Sequence, residues 1–405
     1  MKNQIWEKLY LESSSLTRPV MAEGLIPENQ LEEFKSLLLS IIREFLRKGD
    51  LHLGLKTYID NIQSQEIPEI MASKLPQQDE TLENWAYSIF GEQKFGVILN
   101  YLEEYSNEFS EKAAILIKPL LEKAGLPLEG ISFLFFMGNY GFTPFGIHKE
   151  NVGEEGVLFH LGPGEKQFYT WDKPEYNVIE HNSQIFRNID EMLPESVSYS
   201  LKPGNAMFIP HQVFHVANTP EFSISFVMDY VNPPMDRFEN ELLKAANEEN
   251  LNLQNRFQKP LHGDSPSSEW GQFLNQESIQ KKLEIAFRRH ILSLKSNGGI
   301  KRKSKPNFRL HLPNGNFIIK GKSIFPIQID SQADGSNLIF ARGHRIASKG
   351  HPKLSQLIQK INDGESFNLN TIQNLLFPEW DLVDIFSFFS ELQKTETIDI
   401  QPQIE

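Results

Sequence analysis

A change of pattern near residue 131 constrains the fold of this chain more than any other feature. Between residues 131 and 233, short apolar runs alternate with clusters of Gly, Pro and Asn. Such runs are typical of strands separated by turns in an antiparallel barrel or jelly roll. The predicted strands are 132–137, 156–160, 166–170, 196–201, 206–209 and 222–230. We expect residues 175–195 to form a loop or insertion over the mouth of this barrel.

Helical spacing of apolar residues flanks the central region on both sides. Residues 1–130 are predicted to form a helical layer that supports the barrel, with helices at 28–48, 81–90 and 97–124. Beyond the barrel region, 131–234, two helices at 239–250 and 277–294 are predicted within a linking segment, 235–299. The tail, 300–405, mixes strand and helix patterns and predicts a winged-helix-like module. The fold class that follows is α+β.

Composition restricts the chemistry that the chain can perform. The 405 residues include no cysteine, so a metal site must use His, Asp and Glu. The first residues lack the apolar core of a signal peptide, and the most apolar run, 131–137, is too short to cross a bilayer. We therefore expect a soluble, cytoplasmic protein with no membrane segment.

Charge is distributed unevenly along the chain. The formal net charge of −13 argues against wholesale binding to nucleic acid. Residues 297–353 nevertheless contain eleven Lys and Arg against Asp330 and Asp334, which gives 11 − 2 = +9. Two interpretations of this basic stretch stay open: a contact surface for RNA, the ribosome, an acidic peptide or a partner, or an ordinary solvated surface.

Residues with metal-ligating side chains lie in the central region. His148 and Glu150 are two apart, so in an extended segment both side chains face the same way. An imidazole and a carboxylate make up two-thirds of the facial triad that holds ferrous iron and leaves positions open. The third ligand must come from elsewhere, and His215 supplies it just before a predicted strand. Lys166 stands alone on an aromatic strand, where burial would require an anionic partner.

These residues resemble the Jumonji-C branch of the cupin superfamily, which consists of Fe(II)- and 2-oxoglutarate-dependent oxygenases on a double-stranded β-helix. The matching stretches are His148-Lys-Glu150, Gly164-Glu-Lys166-Gln-Phe168 and Phe214-His215-Val-Ala-Asn218. The resemblance implies that His148, Glu150 and His215 hold Fe(II). It also implies that Lys166 binds the distal carboxylate of the co-substrate 2-oxoglutarate. Thr143, Asn151 and Ser225 are further candidates for the co-substrate pocket.

The order of segments is also similar to that of ribosomal oxygenases, in which a catalytic barrel precedes a helical dimerisation segment and a winged-helix module. This layout implies a homodimer formed through 235–299 and a protein or peptide substrate hydroxylated on a side chain. Two alternatives stay open. One is a cupin metalloenzyme that acts on a small molecule without 2-oxoglutarate, and the other is a non-catalytic binding or regulatory protein. A cationic anchor at Lys166 disfavours the first, and three convergent ligands disfavour the second.

Overall fold

A computed structural model describes the protein over residues 2–51, 53–144, 146–171, 185–186, 188–248, 276–301, 317–331 and 335–402. The chain divides into two compact units: Met1–Asn232 with Asn297–Pro306, and Pro233–Ser296 with Asn307–Glu405. The regions predicted at 1–130 and 131–234 therefore belong to one compact unit, apart from the last two residues. No helix in the described ranges is both long and apolar enough to span a membrane.

Five helices of the first unit precede its central strands. Their bounds are α1 Lys2–Glu12, α2 Glu28–Lys48, α3 Ile67–Ser73, α4 Leu82–Phe90 and α5 Asn107–Ala124. Helix α2 begins after Pro27 and ends at Gly49, whose φ of 79° is left-handed. Helix α4 begins at Thr81, whose hydroxyl accepts a hydrogen bond from the amide of Asn84. The predictions for these two helices are confirmed.

The helix predicted at 97–124 is wrong over its first part. Phe95–Asn100 is a strand, β4, and α5 begins only after Ser106, whose hydroxyl caps it. A strand inside a sheet is buried on both faces, so its apolar residues run continuously and show no period of two. The supposedly helical region also contributes β1 Val20–Ala22, β2 Leu55–Ile59 and β3 Ile62–Ser64.

The central region contains all six predicted strands, with ends shifted by a few residues. The strands are β5 Gly130–Gly138, β6 Gly141–Phe142, β7 Ile147–His148, β8 Glu154–Pro163, β9 Lys166–Trp171, β10 Ile185–Phe186, β11 Val197–Leu201, β12 Ala206–Ile209, β13 Phe214–Thr219 and β14 Ser223–Val231. The segment predicted as a loop over the mouth contains β10 and a short helix, α6 Ile189–Met192, where the structure describes it.

These strands form two antiparallel sheets within the described residues. The larger has eight strands in the order β1-β12-β8-β14-β5-β4-β2-β3. The smaller has the order β10-β7-β13-β9-β11, with β6 also paired to β13. An apolar cluster draws its members from both sheets: Leu158, Phe168, Leu201, Met207, Ile209, Ala217 and Val227. The two sheets therefore pack face to face around a shared interior.

The outer face of the larger sheet packs against the helices. Phe226 on β14 stacks on Phe34 of α2 at 5.1 Å between ring centroids and meets Phe109 of α5 edge-on at 5.6 Å. Because side chains alternate along β14, the residues on either side of Phe226, Ser225 and Val227, face the interior. The helical layer thus supports the sheet from outside and leaves the inward face for the site.

A short return of the chain completes the first unit. The amide of Ile131 donates to the carbonyl of Gly299 at 2.9 Å, and the amide of Lys301 donates to the carbonyl of Ile131 at 2.7 Å. The Lys301 ammonium also pairs with Glu129 at 2.8 Å. Residues 299–301 thus run parallel to the start of β5.

The second unit combines helices with two small antiparallel sheets. Its helices are α7 Met235–Glu248, α8 Gln276–Ser296, α9 Leu354–Asn362, α10 Leu369–Leu376 and α11 Leu382–Lys394. Its strands are β15 Phe317–Gly321, β16 Gln328–Ser331, β17 Asn337–Ala341, β18 His344–Ser348, β19 Ser366–Asn368 and β20 Ile398–Pro402. The mixture of strands and helices that the sequence pattern of the tail predicts is present.

Several basic residues of the stretch 297–353 are engaged within the protein. Lys349 pairs with Asp384 at 2.8 Å, and Lys322 lies 3.7 Å from Asp399. The guanidinium of Arg342 is buried and lies 3.6 Å from the ring centroid of Phe325. Arg302, Lys303, Lys305 and Arg309 lie outside the described residues. The charge available to a partner is therefore smaller than the sequence count of +9 implies.

The packing of Phe226 predicts its contribution to stability. Replacing Phe226, which is fully buried, with Ala should lower the free energy of unfolding by about 3–5 kcal/mol, because the lost ring leaves a cavity between sheet and helices. Urea denaturation followed by circular dichroism measures this change. Tyr87 is 64% exposed, so Tyr87→Ala should shift the value by no more than about 0.5 kcal/mol. Equal effects of the two substitutions would contradict the assigned packing.

Candidate metal centre and co-substrate pocket

The three predicted metal ligands converge around the neighbouring strands β7 and β13 of the smaller sheet. His148 ends β7 and is the register partner of His215 on β13, which brings the two imidazole centroids to 4.3 Å. Glu150 follows β7, and its Oε1 lies 3.8 Å from His148 Nε2 and 3.5 Å from His215 Nε2. One ligand atom from each residue lies within 4.8 Å of the others. This spacing suits a single metal ion.

Backbone carbonyls fix the orientation of both imidazoles. His148 Nδ1 lies 3.0 Å from the carbonyl oxygen of Gly146, and His215 Nδ1 lies 3.1 Å from that of Val213. A carbonyl oxygen only accepts, so each Nδ1 carries the proton and donates it. Each Nε2 therefore keeps a lone pair that faces Glu150, as a metal-ligating histidine requires.

The charge state of the triad also favours a cation. Burial, together with the nearby His215, lowers the pKa of His148 to about 4, so its imidazole is neutral at physiological pH. Burial by itself would raise the pKa of Glu150, but the neighbouring imidazoles of His215 and His148 outweigh it and lower the pKa. A neutral imidazole beside an ionised carboxylate offers a metal electron pairs without competing protons.

Lys166 lies in the same interior as the triad. On β9, Lys166 and Phe168 share the inward face, and the Phe168 ring stacks on the His215 imidazole with centroids 5.5 Å apart. The Lys166 side chain is buried, and its Nζ donates to the hydroxyls of Thr219 at 2.9 Å and Tyr140 at 3.2 Å.

No carboxylate among the described residues lies within 4.0 Å of the Lys166 ammonium, although it contacts two hydroxyls. Burying an ammonium group without an anion is unfavourable, because hydroxyl dipoles replace only part of its hydration. The interior is therefore suited to an anion that comes from outside the chain.

Ser225, a predicted pocket residue, is buried on the inward face of β14 beside His160. His160 Nε2 lies 2.8 Å from the carbonyl oxygen of Gly164, so this nitrogen donates, and Nδ1 accepts from the Ser225 hydroxyl at 3.2 Å. Burial, and then the charge of Lys166, lowers the pKa of His160 to about 3. His160 is thus a neutral residue that orients Ser225, and it lies outside the triad.

Thr143 and Asn151 make contacts that hold the backbone around the site. The Thr143 hydroxyl donates to the carbonyl of Ala217 at 3.3 Å and ties the loop before β7 to β13. The Asn151 side chain is exposed and donates to Glu154 at 2.8 Å in the turn before β8. Within the described structure neither side chain contacts Lys166 or the triad, so their pocket roles stay predictions.

Thr219 was not predicted and yet directly contacts Lys166. It follows His215 by four positions on β13, and alternation places His215, Ala217 and Thr219 on one face. This period of two could have identified it. His211, by contrast, pairs with Glu155 at 2.8 Å and stays apart from the three convergent ligands.

Comparisons with known proteins give a likeness of fold. No family model matches the sequence, and no curated protein matches it. Solved structures do match. YcfD from Escherichia coli, described as a ribosomal oxygenase, in complex with cobalt and succinic acid has a TM-score of 0.52 at 12% identity. The alignment covers 98% of each chain.

A second structure of YcfD, in complex with cobalt and 2-oxoglutarate, has a TM-score of 0.51 at 12% identity, again over 98% of each chain. The likeness spans nearly the whole chain and not only its central strands. The resemblance to ribosomal oxygenases that the order of segments indicates is therefore confirmed at the level of the fold.

Proposed function

We propose that this protein is an Fe(II)- and 2-oxoglutarate-dependent oxygenase that hydroxylates a side chain of a protein or peptide. One observation carries the proposal: His148, Glu150 and His215 converge in the same interior that buries Lys166, and no carboxylate of the described residues pairs with that ammonium. The structure of the structurally similar YcfD in complex with cobalt and 2-oxoglutarate supports it.

The donor set of the triad fits ferrous iron. Two imidazole nitrogens and one carboxylate oxygen match the facial triad of non-haem iron oxygenases, which leaves positions open on the metal. Bound iron would supply the ability to react with molecular oxygen, which amino-acid side chains lack. The contribution of the chain is to orient both imidazoles with each Nε2 facing inward, through the hydrogen bonds that each Nδ1 donates to the carbonyls of Gly146 and Val213.

Lys166 suits the distal carboxylate of 2-oxoglutarate. Its ammonium is held by Tyr140 and Thr219, which fixes its position before any ligand arrives. A charge-assisted hydrogen bond in a buried site is stronger and more directional than one in water. Phe168, between Lys166 and His215, gives the pocket an apolar wall and excludes water from that side.

Lys166 weighs against one alternative, and the triad weighs against the other. A cupin metalloenzyme that does not use 2-oxoglutarate has no need of a buried ammonium in its metal pocket. A binding protein without catalysis has no need of two imidazoles whose Nε2 atoms both face a carboxylate.

The strand order supports a double-stranded β-helix, because β7, β13, β9 and β11 in one sheet face β12, β8, β14 and β5 in the other.

We infer that the substrate is a macromolecule. A ribosomal protein is the first candidate to test, because the structurally similar YcfD is described as a ribosomal oxygenase. The second unit, with its winged-helix-like order of strands and helices, is proposed to recruit that substrate.

Helices α7 and α8 of the second unit carry exposed apolar side chains at Leu243, Ile279 and Phe287, which support the proposed homodimer. Light scattering, which gives the mass of the assembly, tests the dimer.

Metal binding tests the ligand assignment. His215→Ala should weaken Fe(II) binding by more than about 100-fold, because one of three ligands is lost, while circular dichroism stays unchanged. Anaerobic calorimetry with Fe(II) measures the affinity. His211 belongs to the same segment but pairs with Glu155, so His211→Ala should bind iron as the wild type does. A His215→Ala protein that retains one iron with unchanged affinity would refute the assignment.

Co-substrate binding tests Lys166. Lys166→Met keeps the length of the side chain but removes a charge-assisted hydrogen bond worth roughly 1.5–3 kcal/mol, so the Kd for 2-oxoglutarate should rise by about 10- to 100-fold. Lys123→Met, at the exposed pair with Glu7, is the control and should leave that Kd unchanged. If Lys166→Met binds 2-oxoglutarate normally, another group anchors the distal carboxylate.

Turnover tests the substrate class. Incubation of the iron-loaded protein with ribosomal proteins, 2-oxoglutarate and oxygen should release succinate and add one oxygen atom to a protein side chain, as read by mass spectrometry of the peptides. The Lys166→Met protein serves as the inactive control. Release of succinate without modification of any ribosomal protein would retain the oxygenase chemistry and reject this substrate.

A further inference from the structure

The hydroxyl of Thr170 on β9 is fully buried and lacks a hydrogen-bond partner among the described residues. Most buried polar side-chain atoms in proteins have a partner, because an unsatisfied hydroxyl has lost its hydration without compensation. At a fully buried strand position, Val would have the same shape without that loss. The hydroxyl therefore calls for an explanation beyond packing.

The strand register places Thr170 beside a metal ligand. Thr170 is the direct partner of His215 in the pairing of β9 with β13. Side chains of directly paired residues lie on one face, with Cβ atoms about 4.5–5.5 Å apart. Alternation along β9 then gives an inward row of Lys166, Phe168 and Thr170, in which Phe168 stacks on His215. Lys166 stands at one end of this row and Thr170 at the other, next to the triad.

We propose that the Thr170 hydroxyl donates a hydrogen bond to the metal-chelating end of 2-oxoglutarate, at the carboxylate beside the keto group. This inference rests on the proposed function. 2-Oxoglutarate has a carboxylate at each end, and the row on β9 has a polar hydrogen-bond donor at each end with an aromatic ring between them. A carboxylate is a strong acceptor for a buried hydroxyl. The ligand thus satisfies the group that the chain leaves without a partner.

Thr170→Val separates this role from packing. In the metal-free protein the substitution removes an unsatisfied polar atom at constant shape, so the melting temperature should stay the same or rise. In the Fe(II)-loaded protein under nitrogen, calorimetry should give a Kd for 2-oxoglutarate about tenfold or more above that of the wild type, with unchanged Fe(II) affinity. Thr170→Ser keeps the hydroxyl and should bind 2-oxoglutarate within a fewfold of the wild type.

Thr57 provides a matched control. It is buried on β2, and its hydroxyl donates to the carbonyl of Ser64 at 2.9 Å. Thr57→Val should lower the melting temperature and leave 2-oxoglutarate binding unchanged, which is the reverse of the result expected at Thr170. Should Thr170→Val fail to fold, Thr170→Ala removes the same hydroxyl without adding bulk and takes its place in the binding measurement.

The outcomes distinguish this inference from the proposed function. If the wild type binds 2-oxoglutarate and Thr170→Val binds it equally well, the role of Thr170 is rejected and the oxygenase proposal stands. If Thr170→Val loses Fe(II) affinity, the hydroxyl supports the metal ligands, and the inferred contact is also rejected. If the iron-loaded wild type does not bind 2-oxoglutarate, both fail together.

Discussion

The interior of the first unit depends on one buried positive charge. The Lys166 ammonium is held by two hydroxyls, and no carboxylate of the described chain neutralises it. Its presence has consequences for its neighbours, because the charge adds to burial in keeping His160 neutral and thereby keeps a second cation out of the pocket. A site in this state attracts a small anion that is compact enough to enter between the sheets. The metal ligands, with an ionised carboxylate at Glu150 and a neutral imidazole at His148, attract a cation at the other end of the same space.

Strand β13 organises both ends of this space. His215 is paired with His148 on one side and with Thr170 on the other, so a single residue of β13 faces both neighbouring strands. Four positions later, Thr219 reaches Lys166. A slip of one residue in this register would turn His215 and Thr219 away from the interior together. The bulky side chains of Phe214 and Val216, which pack on the opposite face with Ile147 and Trp171, hold the register against such a slip.

The sequence predicted those parts of the structure that carry local signals. Helix α2 lies between Pro27 and a left-handed Gly49, helix α4 is capped at its start by Thr81, and the central strands are bounded by turn residues. Strand β4 has a continuous apolar run that local patterns cannot distinguish from a buried helix, and it was therefore misassigned. Among the site residues, His148 and Glu150 are close in sequence and were identified together. Thr219 shares a period of two with His215 and could have been found from it. The position of Thr170 beside His215 depends on the pairing of β13 with β9, a long-range property that no local pattern contains.

The return of residues 299–301 to the start of β5 has a consequence for the modularity of this protein. Because Asn297–Pro306 belongs to the first unit while the segments on either side belong to the second, the polypeptide passes between the units three times. Neither unit is a contiguous stretch of the gene product. A single proteolytic cut, or a single stop codon, therefore leaves one unit incomplete, and recombination at one breakpoint cannot exchange either unit for another. We therefore expect the two units to be kept or replaced together in evolution, although each unit is compact by itself.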